Sequence, residues 1–169
     1  MARSFPKDWF NLPQEVLADF GAMMFLASLS PTHRAHTLAQ NFYGFETPLR
    51  LKQYNIFRDA EGYPRGFVTF AGLSAEAERR YAVDQTALKP EDWTSGSSFW
   101  IIDFVMPFGQ APQVIEKLKS DLPYKRVRTN RLPSDMGKPR IVEWFRREDD
   151  SVGLKVYRKN DFADLLGAA

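Results

Sequence analysis

The N-terminal third of the chain carries a hydrophobic pattern that predicts one helix. Apolar side chains recur three or four positions apart, at Val16, Leu17, Phe20, Met24 and Ala27. This spacing is the period of an α-helix, and it places these side chains on one face. We therefore expect that face to pack against the core.

Two prolines predict where this helix begins and ends. Pro13 lies near its start, and proline is well accommodated in the first turn of a helix. Pro31 disfavours a helical backbone at Ser30, the residue before it. The helix should therefore end or bend near Ser30, and a new turn should begin around His33.

Alternation replaces the helical period in the next segment. Residues 49–57 alternate between hydrophobic and polar side chains, which predicts a strand. A turn at 59–62 then leads to a second strand at about 66–71, so the two strands are expected to form a hairpin. Ser74 is a good N-cap for a helix that extends to about Asp84.

The segment 99–106 predicts a central strand, because it is apolar on both faces apart from one carboxylate, Asp103. Pro107 follows this strand and is expected to end it. Pro112 suits the first turn of a further helix that continues to about Leu122.

The C-terminal part of the chain predicts mainly strands. Residues 127–128 are a weak strand candidate, 141–145 and 152–157 predict a final hairpin, and a short helix follows from Asn160. Together with the earlier elements, this order predicts an α+β fold in which helices flank a mostly antiparallel central sheet.

Composition indicates one folded domain. Of the 169 residues, 44% are hydrophobic and 14% aromatic, which is enough for a single core. Because no repeat or long linker divides the chain, we expect a flexible N-terminal arm at 1–12 and a single domain at 13–169. The absence of cysteine excludes disulfides, thiolate metal sites and a cysteine nucleophile.

The apolar run at 20–29 does not have the features of a targeting signal or a membrane-spanning segment. It is shorter than the roughly 20 apolar residues that a membrane span needs. Glu15 and Asp19 also precede it, where a signal peptide would be basic. The sequence therefore predicts a cytoplasmic protein without a membrane span.

Charge is distributed unevenly along the chain. The net charge is only +2, yet residues 117–147 hold ten basic side chains and three acidic ones. Such a region can attract an acidic partner, or it can simply be a solvated surface. A nucleic-acid-binding domain is a further alternative, but none of the recognised nucleic-acid motifs is present, so no nucleic-acid partner is predicted.

His33 and Asp103 are the candidates for chemistry. A carboxylate in an apolar strand needs a cation or hydrogen-bond donors, and the chain has only two histidines to offer as a titrating partner. The alternatives are a structural histidine that caps a helix and an aspartate that points outward from an edge strand. His36 could join His33 at a metal ion, but no third ligand has suitable spacing, so no metal site is predicted.

Four motifs resemble one family in type and order. The chain is similar to the RTX toxin-activating lysine acyltransferases (haemolysin-activating type) from about Leu17 to about Leu166. The resemblance rests on the segments 30–34 (SPTHR), 91–96 (EDWTSG), 103–109 (DFVMPFG) and 158–162 (RKNDF). It implies transfer of a fatty acyl group from acyl carrier protein to an internal lysine of an RTX protoxin.

The resemblance also implies a GNAT-like acyltransferase fold, a homodimer, and catalytic roles for His33, Asp103 and Ser30. Ordinary members of that fold hold the coenzyme A pyrophosphate at a glycine-rich turn, whereas residues 107–112 read PFGQAP here. The expected co-substrate is therefore an acyl-ACP, a 4'-phosphopantetheine thioester, with no tightly bound cofactor. An acyl-CoA-dependent enzyme acting on another amine is the alternative.

The implied reaction needs a base, because a lysine amine with a pKa near 10.4 is mostly protonated at neutral pH. His33 would remove a proton and Asp103 would stabilise the resulting imidazolium. Ser30 would position the histidine or the thioester, and we favour direct transfer over an acyl-serine intermediate. Backbone N–H groups at 93–96 or 108–109 are candidate oxyanion donors or plain turns. The aromatic candidates for an acyl-chain groove, or for core packing, are Trp93, Phe99, Trp100, Phe104 and Phe108.

Overall fold

The computed structural model describes residues 11–120, 125–131 and 139–167. The helices are α1 (Gln14–Leu29), α2 (Leu38–Leu51), α3 (Ala75–Ala82), α4 (Ala111–Ser120) and α5 (Lys159–Gly167). The strands are β1 (Tyr54–Arg58), β2 (Pro64–Leu73), β3 (Ser98–Val105), β4 (Arg126–Arg131), β5 (Arg140–Arg146) and β6 (Val152–Tyr157). Most of the predicted arm at 1–12 and the predicted helix end at Leu122 lie outside the described residues.

The strands form one sheet in the order β1-β2-β3-β4-β5-β6. Strands β3 and β4 pair in parallel, and the other neighbours pair antiparallel. The α+β class is confirmed, but the prediction of a mostly antiparallel sheet is wrong, because the sheet is mixed. The physical reason is the connection through α4, which returns the chain to the same end of the sheet before β4 begins.

A bulge in β3 decides the direction of Asp103. Thr69 pairs with Asp103, but the next residue, Phe70, pairs with Ile101, so Ile102 is an extra residue in the ladder. Side chains alternate along a regular strand, and one extra residue reverses the alternation. Asp103 therefore points to the same face of the sheet as Trp100.

Helices cover this face in two groups. Near one end, Met23 and Leu26 of α1 and Phe45 of α2 pack on Phe67 of β2. Towards the other end, α3 and α5 pack on Trp100, whose ring meets those of Tyr81 and Phe162 edge to face at 5.5 and 5.9 Å between centroids. The space between the two groups lies beside Asp103.

The parallel pairing of β3 and β4 is short. It runs from Phe99 and Val127 to Ile101 and Thr129, whereas β3 continues to Val105 and β4 to Arg131. Beyond Ile101 the two strands are not paired with each other, so a gap opens in the sheet directly beside Asp103.

The segment before β1 differs from its prediction. Residues 49–57 were expected to be one strand, but Leu49 and Leu51 lie in the last turn of α2 and the strand begins at Tyr54. A capping box between Thr37 and Gln40 starts this helix, and the helix accommodates an internal proline. Two leucines in one helical turn therefore imitated strand alternation.

A buried charge network crosses the sheet below α3. Arg128 is only 2% exposed; it bonds Glu78 of α3 and donates to Glu143 at 2.6 Å. Trp100 Nε1 and Ser98 Oγ also donate to Glu78, at 2.7 and 2.6 Å. The basic region at 117–147 is therefore not a uniform surface, since one of its arginines is neutralised inside the core.

No helix in the described ranges has both the length and the hydropathy needed to cross a bilayer.

Candidate active site

The connection between α1 and α2 carries His33 in a short 3-10 turn, His33–Ala35. Helix α1 ends at Leu29, as Pro31 predicts. Asn41 of α2 donates from Nδ2 to the backbone carbonyl of His33 at 3.0 Å, and its Oδ1 lies 3.3 Å from Nδ1 of His36. Asn41 therefore fixes the backbone of this turn, a role that sequence reasoning missed.

Three predicted residues meet at this turn. His33 Nε2 lies 3.1 Å from Asp103 Oδ1, and His33 Nδ1 lies 3.1 Å from Ser30 Oγ. The side chains of His33 and Asp103 are 13% and 19% exposed. The structure thus brings Ser30, His33 and Asp103 into one hydrogen-bonded chain, although 70 positions separate the histidine from the aspartate.

The acceptor character of Asp103 determines the tautomer of the ring. A carboxylate can only accept, so Nε2–H donates to Asp103 when Asp103 is ionised. Nδ1 then carries a lone pair and accepts from the hydroxyl of Ser30. In this arrangement Nδ1 is the basic atom of the site, and the Ser30 hydroxyl marks the place from which it can take a proton.

Thr69 holds the other oxygen of Asp103. Its Oγ1 donates to Asp103 Oδ2 at 2.6 Å and accepts from the backbone N–H of Asp103 at 3.1 Å. Thr69 is fully buried. Sequence reasoning missed this residue, although a hydroxyl in the apolar run 66–71 is the same kind of signal as a carboxylate in 99–106.

Aromatic rings support the imidazole from the core side. The ring of His33 lies 5.9 Å from that of Phe45 and 6.4 Å from that of Phe67, between centroids. These contacts restrict the ring to one orientation, so that its nitrogens meet Ser30 and Asp103.

A cleft of about 860 Å³ opens in front of the site. Its polar wall includes Ser30, Thr32, His33, His36 and Asp103. Its opposite part, called here the apolar arm, is formed by Ile101, Phe104, Ile115, Val142 and Trp144. A volume of this size is typical of pockets for small organic ligands, which range from about 300 to 1,000 Å³.

Tyr81 of α3 lies in the wall of the same cleft. Burial, and then the negative charge of Asp103, raise its pKa, while a hydrogen bond with Asn130 acts in the opposite direction. The phenol therefore stays protonated over the physiological pH range. It contributes a neutral hydroxyl beside the carboxylate rather than a second negative charge.

The segment 91–96 has a structural role. Asp92 accepts from the backbone N–H of Lys89 at 2.8 Å and from Arg80 at 2.5 Å. The N–H groups of Ser95 and Gly96 donate to backbone carbonyls at 3.1 and 3.0 Å. A Cβ on Gly96 would lie 2.5 Å from the carbonyl oxygen of Leu73, so only glycine fits there. The segment fastens the loop to β2, and these bonds make the N–H groups of Ser95 and Gly96 unavailable as oxyanion donors.

The turn at 108–109 is likewise structural, since Gly109 N–H donates to the Met106 carbonyl at 3.3 Å and its φ is +82°.

Most of the aromatic candidates for an acyl groove lie outside the cleft. Trp93 and Trp100 are core residues, and Phe108 stacks with Arg65 at 5.2 Å. Phe99 packs on Phe70. Of the five, Phe104 lines the cleft.

Comparison with known proteins identifies the family. The sequence model of the RTX toxin acyltransferase family matches residues 12–145. The chain is 32% identical to an RTX-II toxin-activating lysine-acyltransferase of Actinobacillus pleuropneumoniae over 123 residues, 72% of this chain and 76% of the relative. It is 32% identical to a protein-lysine myristoyltransferase of Escherichia coli over 150 residues, 88% of this chain and 86% of the relative. A protein-lysine myristoyltransferase of Kingella kingae is 30% identical over 139 residues, 79% and 80% of the two chains.

The match to the family model covers the turn with His33, the loop at 91–96 and the strand with Asp103. The chain therefore belongs to the RTX toxin acyltransferase family.

Proposed function

We propose that this protein is a cytoplasmic protein-lysine fatty acyltransferase that moves an acyl chain from acyl-ACP to an internal lysine of an RTX protoxin. The observation that carries the proposal is the hydrogen-bonded chain Ser30–His33–Asp103 at the wall of an open cleft. Such a chain combines an imidazole that can accept a proton with a carboxylate that stabilises its protonated form. The names of the relatives describe the same class of reaction.

The reaction proceeds by direct transfer. The lysine reacts as the neutral amine, after its ammonium proton has been released to solvent. Its Nζ attacks the thioester carbonyl, and the proton that the amine loses on attack passes to Nδ1 of His33, at the position where the Ser30 hydroxyl donates. Asp103 stabilises the imidazolium through the Nε2–H bond. The C–S bond then breaks, the imidazolium returns the proton to the leaving thiolate, and the products are an Nε-acyl-lysine and the free thiol of the carrier.

Two features support a carrier-protein donor over coenzyme A. The turn between β3 and α4 contains Pro107 and Pro112, and proline offers no N–H to a pyrophosphate. Strand β4 exposes Arg131 at the cleft and Arg126 at its other end, and these two separated side chains suit the extended acidic surface of a carrier protein.

We also propose a GNAT-like architecture and a homodimer. The order of a central strand, a turn, helix α4 and a parallel strand supports the first. For the second, Phe25 and Leu29 of α1 and Leu154 and Val156 of β6 are exposed apolar side chains. Light scattering after gel filtration tests the assembly, and a monomer at micromolar concentration contradicts it.

The activity is tested with the purified chain, a protoxin segment and two donors, myristoyl-ACP and myristoyl-CoA. We expect a lysine mass increase of one myristoyl group with the carrier protein, and little with coenzyme A. His33→Ala should lose this activity by a factor of about 10² to 10⁴. His36→Ala is the matched comparison, because it removes an imidazole without a bond to Asp103, and it should lose far less.

Each alternative outcome has a definite meaning. Equal rates with both donors favour the acyl-CoA-dependent enzyme. An unmodified protoxin with every donor, or full activity in His33→Ala, overturns the proposal. Because the two histidines lie on the same turn, equal losses in both variants indicate damage to the turn rather than loss of a base.

A further inference from the structure

The apolar arm of the cleft lies on the far side of the sheet from the histidine. Ile101 and Val142 are partners of the same β4 residue, Thr129, and direct cross-strand partners share a face. Trp144, two residues along β5, lies on that face about 7 Å further on. The bulge turns Asp103 to the opposite face, so the gap between β3 and β4 joins the two parts.

Helix α4 closes the outer side of this arm. Ile115 lines the cleft together with Ala111, one turn earlier in the same helix. The arm is thus bounded by the sheet on one side and by a helix on the other, and Trp144 stands at the end remote from Asp103. A ligand that enters through the gap meets a groove that runs between the sheet and α4 towards Trp144.

The chemistry of the arm suits an alkyl chain. Ile101, Phe104, Ile115 and Val142 offer no hydrogen-bonding side-chain atoms. The polar atoms on this face of the cleft are the Thr129 hydroxyl, the Trp144 indole N–H and, two residues beyond Thr129, the exposed guanidinium of Arg131. A pantetheine arm carries two amides, and amides that leave water without partners cost free energy. Moving the methylene groups of an alkyl chain from water onto such a surface is instead favourable.

We propose that the apolar arm binds the fatty acyl chain of the donor, and that Ile115 and Trp144 set the chain length that is transferred. The inference rests on the proposed function and specifies where its substrate lies. The thioester carbonyl would remain in the gap beside His33, and the chain would run through the sheet towards Trp144. The acceptor lysine would approach from the polar wall.

The expected selectivity follows from burial. Each methylene removed from water contributes about 0.8 kcal/mol, which is about fourfold in kcat/KM. Two chains that differ by two methylenes are therefore separated by roughly 15-fold when the longer one fits, and the preference reverses when the end of the arm blocks it.

The test is a competition between donors. Wild-type and variant proteins act on one protoxin segment with an equimolar mixture of dodecanoyl-, myristoyl-, palmitoyl- and stearoyl-ACP, and mass spectrometry measures the chains transferred. Ile115→Trp should fill the arm and move the preference to shorter chains by roughly tenfold per two-carbon step. Trp144→Ala should extend the arm and move it to longer chains. Leu17→Ala, a change of an exposed side chain on α1 outside the cleft, is the control and should keep the wild-type profile.

The outcomes separate this inference from the proposed function. If the wild type transfers no chain from any donor, the proposed function fails. If the wild type is active and Ile115→Trp and Trp144→Ala both keep its profile, only the inference is overturned. If either variant is inactive or unfolded by circular dichroism, Ile115→Ala decides in its place: a shift to longer chains supports the arm, and an unchanged profile contradicts it.

Discussion

Two polar clusters lie on the same face of the sheet and differ in what covers them. The chain Ser30–His33–Asp103 borders an open cleft, and its ionisable side chains remain partly exposed. The buried charge network of Glu78, Arg128 and Glu143 lies under α3 and α5, with every member at most 4% exposed. Each cluster joins an aspartate or glutamate to a nitrogen base, so residue type alone does not distinguish them.

The difference lies in access and in the number of partners. Glu78 accepts from Arg128, Ser98 and Trp100, and Glu143 accepts from Arg128 and Tyr157. These bonds join the three charged side chains to one another and to their neighbours beneath the helices, out of reach of a substrate. In the other cluster, the Nδ1 lone pair of His33 accepts from the Ser30 hydroxyl, which an incoming amine can displace. The buried charge network therefore stabilises the fold, whereas the chain Ser30–His33–Asp103 can exchange a hydrogen-bond partner for a substrate.

Asp103→Asn should produce the largest effect, and it should change activity rather than stability. An amide can donate to Nε2 and thereby shift the ring proton to Nδ1, which removes the basic lone pair. We expect the transfer rate to fall by about 10² to 10⁴, with little change in Tm because the side chain is partly exposed. Initial rates and thermal melts measure the two quantities. A wild-type rate would show that Asp103 does not act through the histidine.

Arg128→Met should have the opposite effect, because it should change stability rather than activity. It leaves two carboxylates buried without their cation, which costs about 3–5 kcal/mol of unfolding free energy. Denaturant unfolding measures this cost. Adding Glu78→Gln and Glu143→Gln to the same chain should recover part of it, because no charge is then stranded in the core. If Arg128→Met is as stable as the wild type, Arg128 does not neutralise Glu78 and Glu143 in the way proposed.

Thr69→Val should have an intermediate effect on activity. The change keeps the shape of the side chain but removes the hydroxyl that binds Asp103 and leaves a backbone N–H without its acceptor. We expect a loss of rate of roughly tenfold, from a net cost of about 1–3 kcal/mol. Thr69→Ser should restore most of the rate and the pH profile, since it returns the hydroxyl. If valine and serine behave alike, the hydroxyl has no positioning role.

Asp92→Asn should have the smallest effect and a characteristic pH dependence. Burial alone would raise the pKa of Asp92, but the N–H of Lys89 and the guanidinium of Arg80 outweigh it and lower the pKa. A lowered pKa contributes stability that is present above the unfolded-state value near 4 and is lost as the pH falls through the folded-state value. The variant should therefore be about 1 kcal/mol less stable at neutral pH.

In denaturant titrations this difference should begin to fall near pH 4, and it should disappear only when the pH is below the lowered pKa of folded Asp92, where both proteins are neutral at this position. A difference that stays constant down to acid pH would mean that the charge of Asp92 is not what stabilises the loop.

Local patterns predicted the elements well wherever one signal dominated. Ser74 caps α3 through its Oγ, and Pro31 ends α1, because each acts on its own neighbours. Helix α2 was missed because its last turn imitates strand alternation, although Thr37 and Gln40 form a capping box that the sequence contains. Short apolar runs remain ambiguous between the two periods.

The site was predictable in its members but not in its geometry. Asp103 stood out because a carboxylate in an apolar strand needs a partner, and His33 was identified by its motif. Thr69 and Asn41 hold that pair in place, but they depend on which strand and helix become neighbours, and a single sequence does not state this. The burial of Arg128 could not be predicted for the same reason, because its partners Glu78 and Glu143 lie 50 and 15 positions away in the sequence.

The extra residue at Ile102 makes β3 tolerant of one particular change in length. Deleting one residue between Trp100 and Asp103 would restore an unbroken ladder with β2. The carboxylate would keep its place opposite Thr69 and on the surface of Trp100, because alternate residues of a regular strand share a surface. Deleting two residues would instead turn the carboxylate away from the imidazole. Relatives whose alignments open a gap of one residue at this point should therefore keep the meeting of acid and base, whereas a gap of two should abolish it.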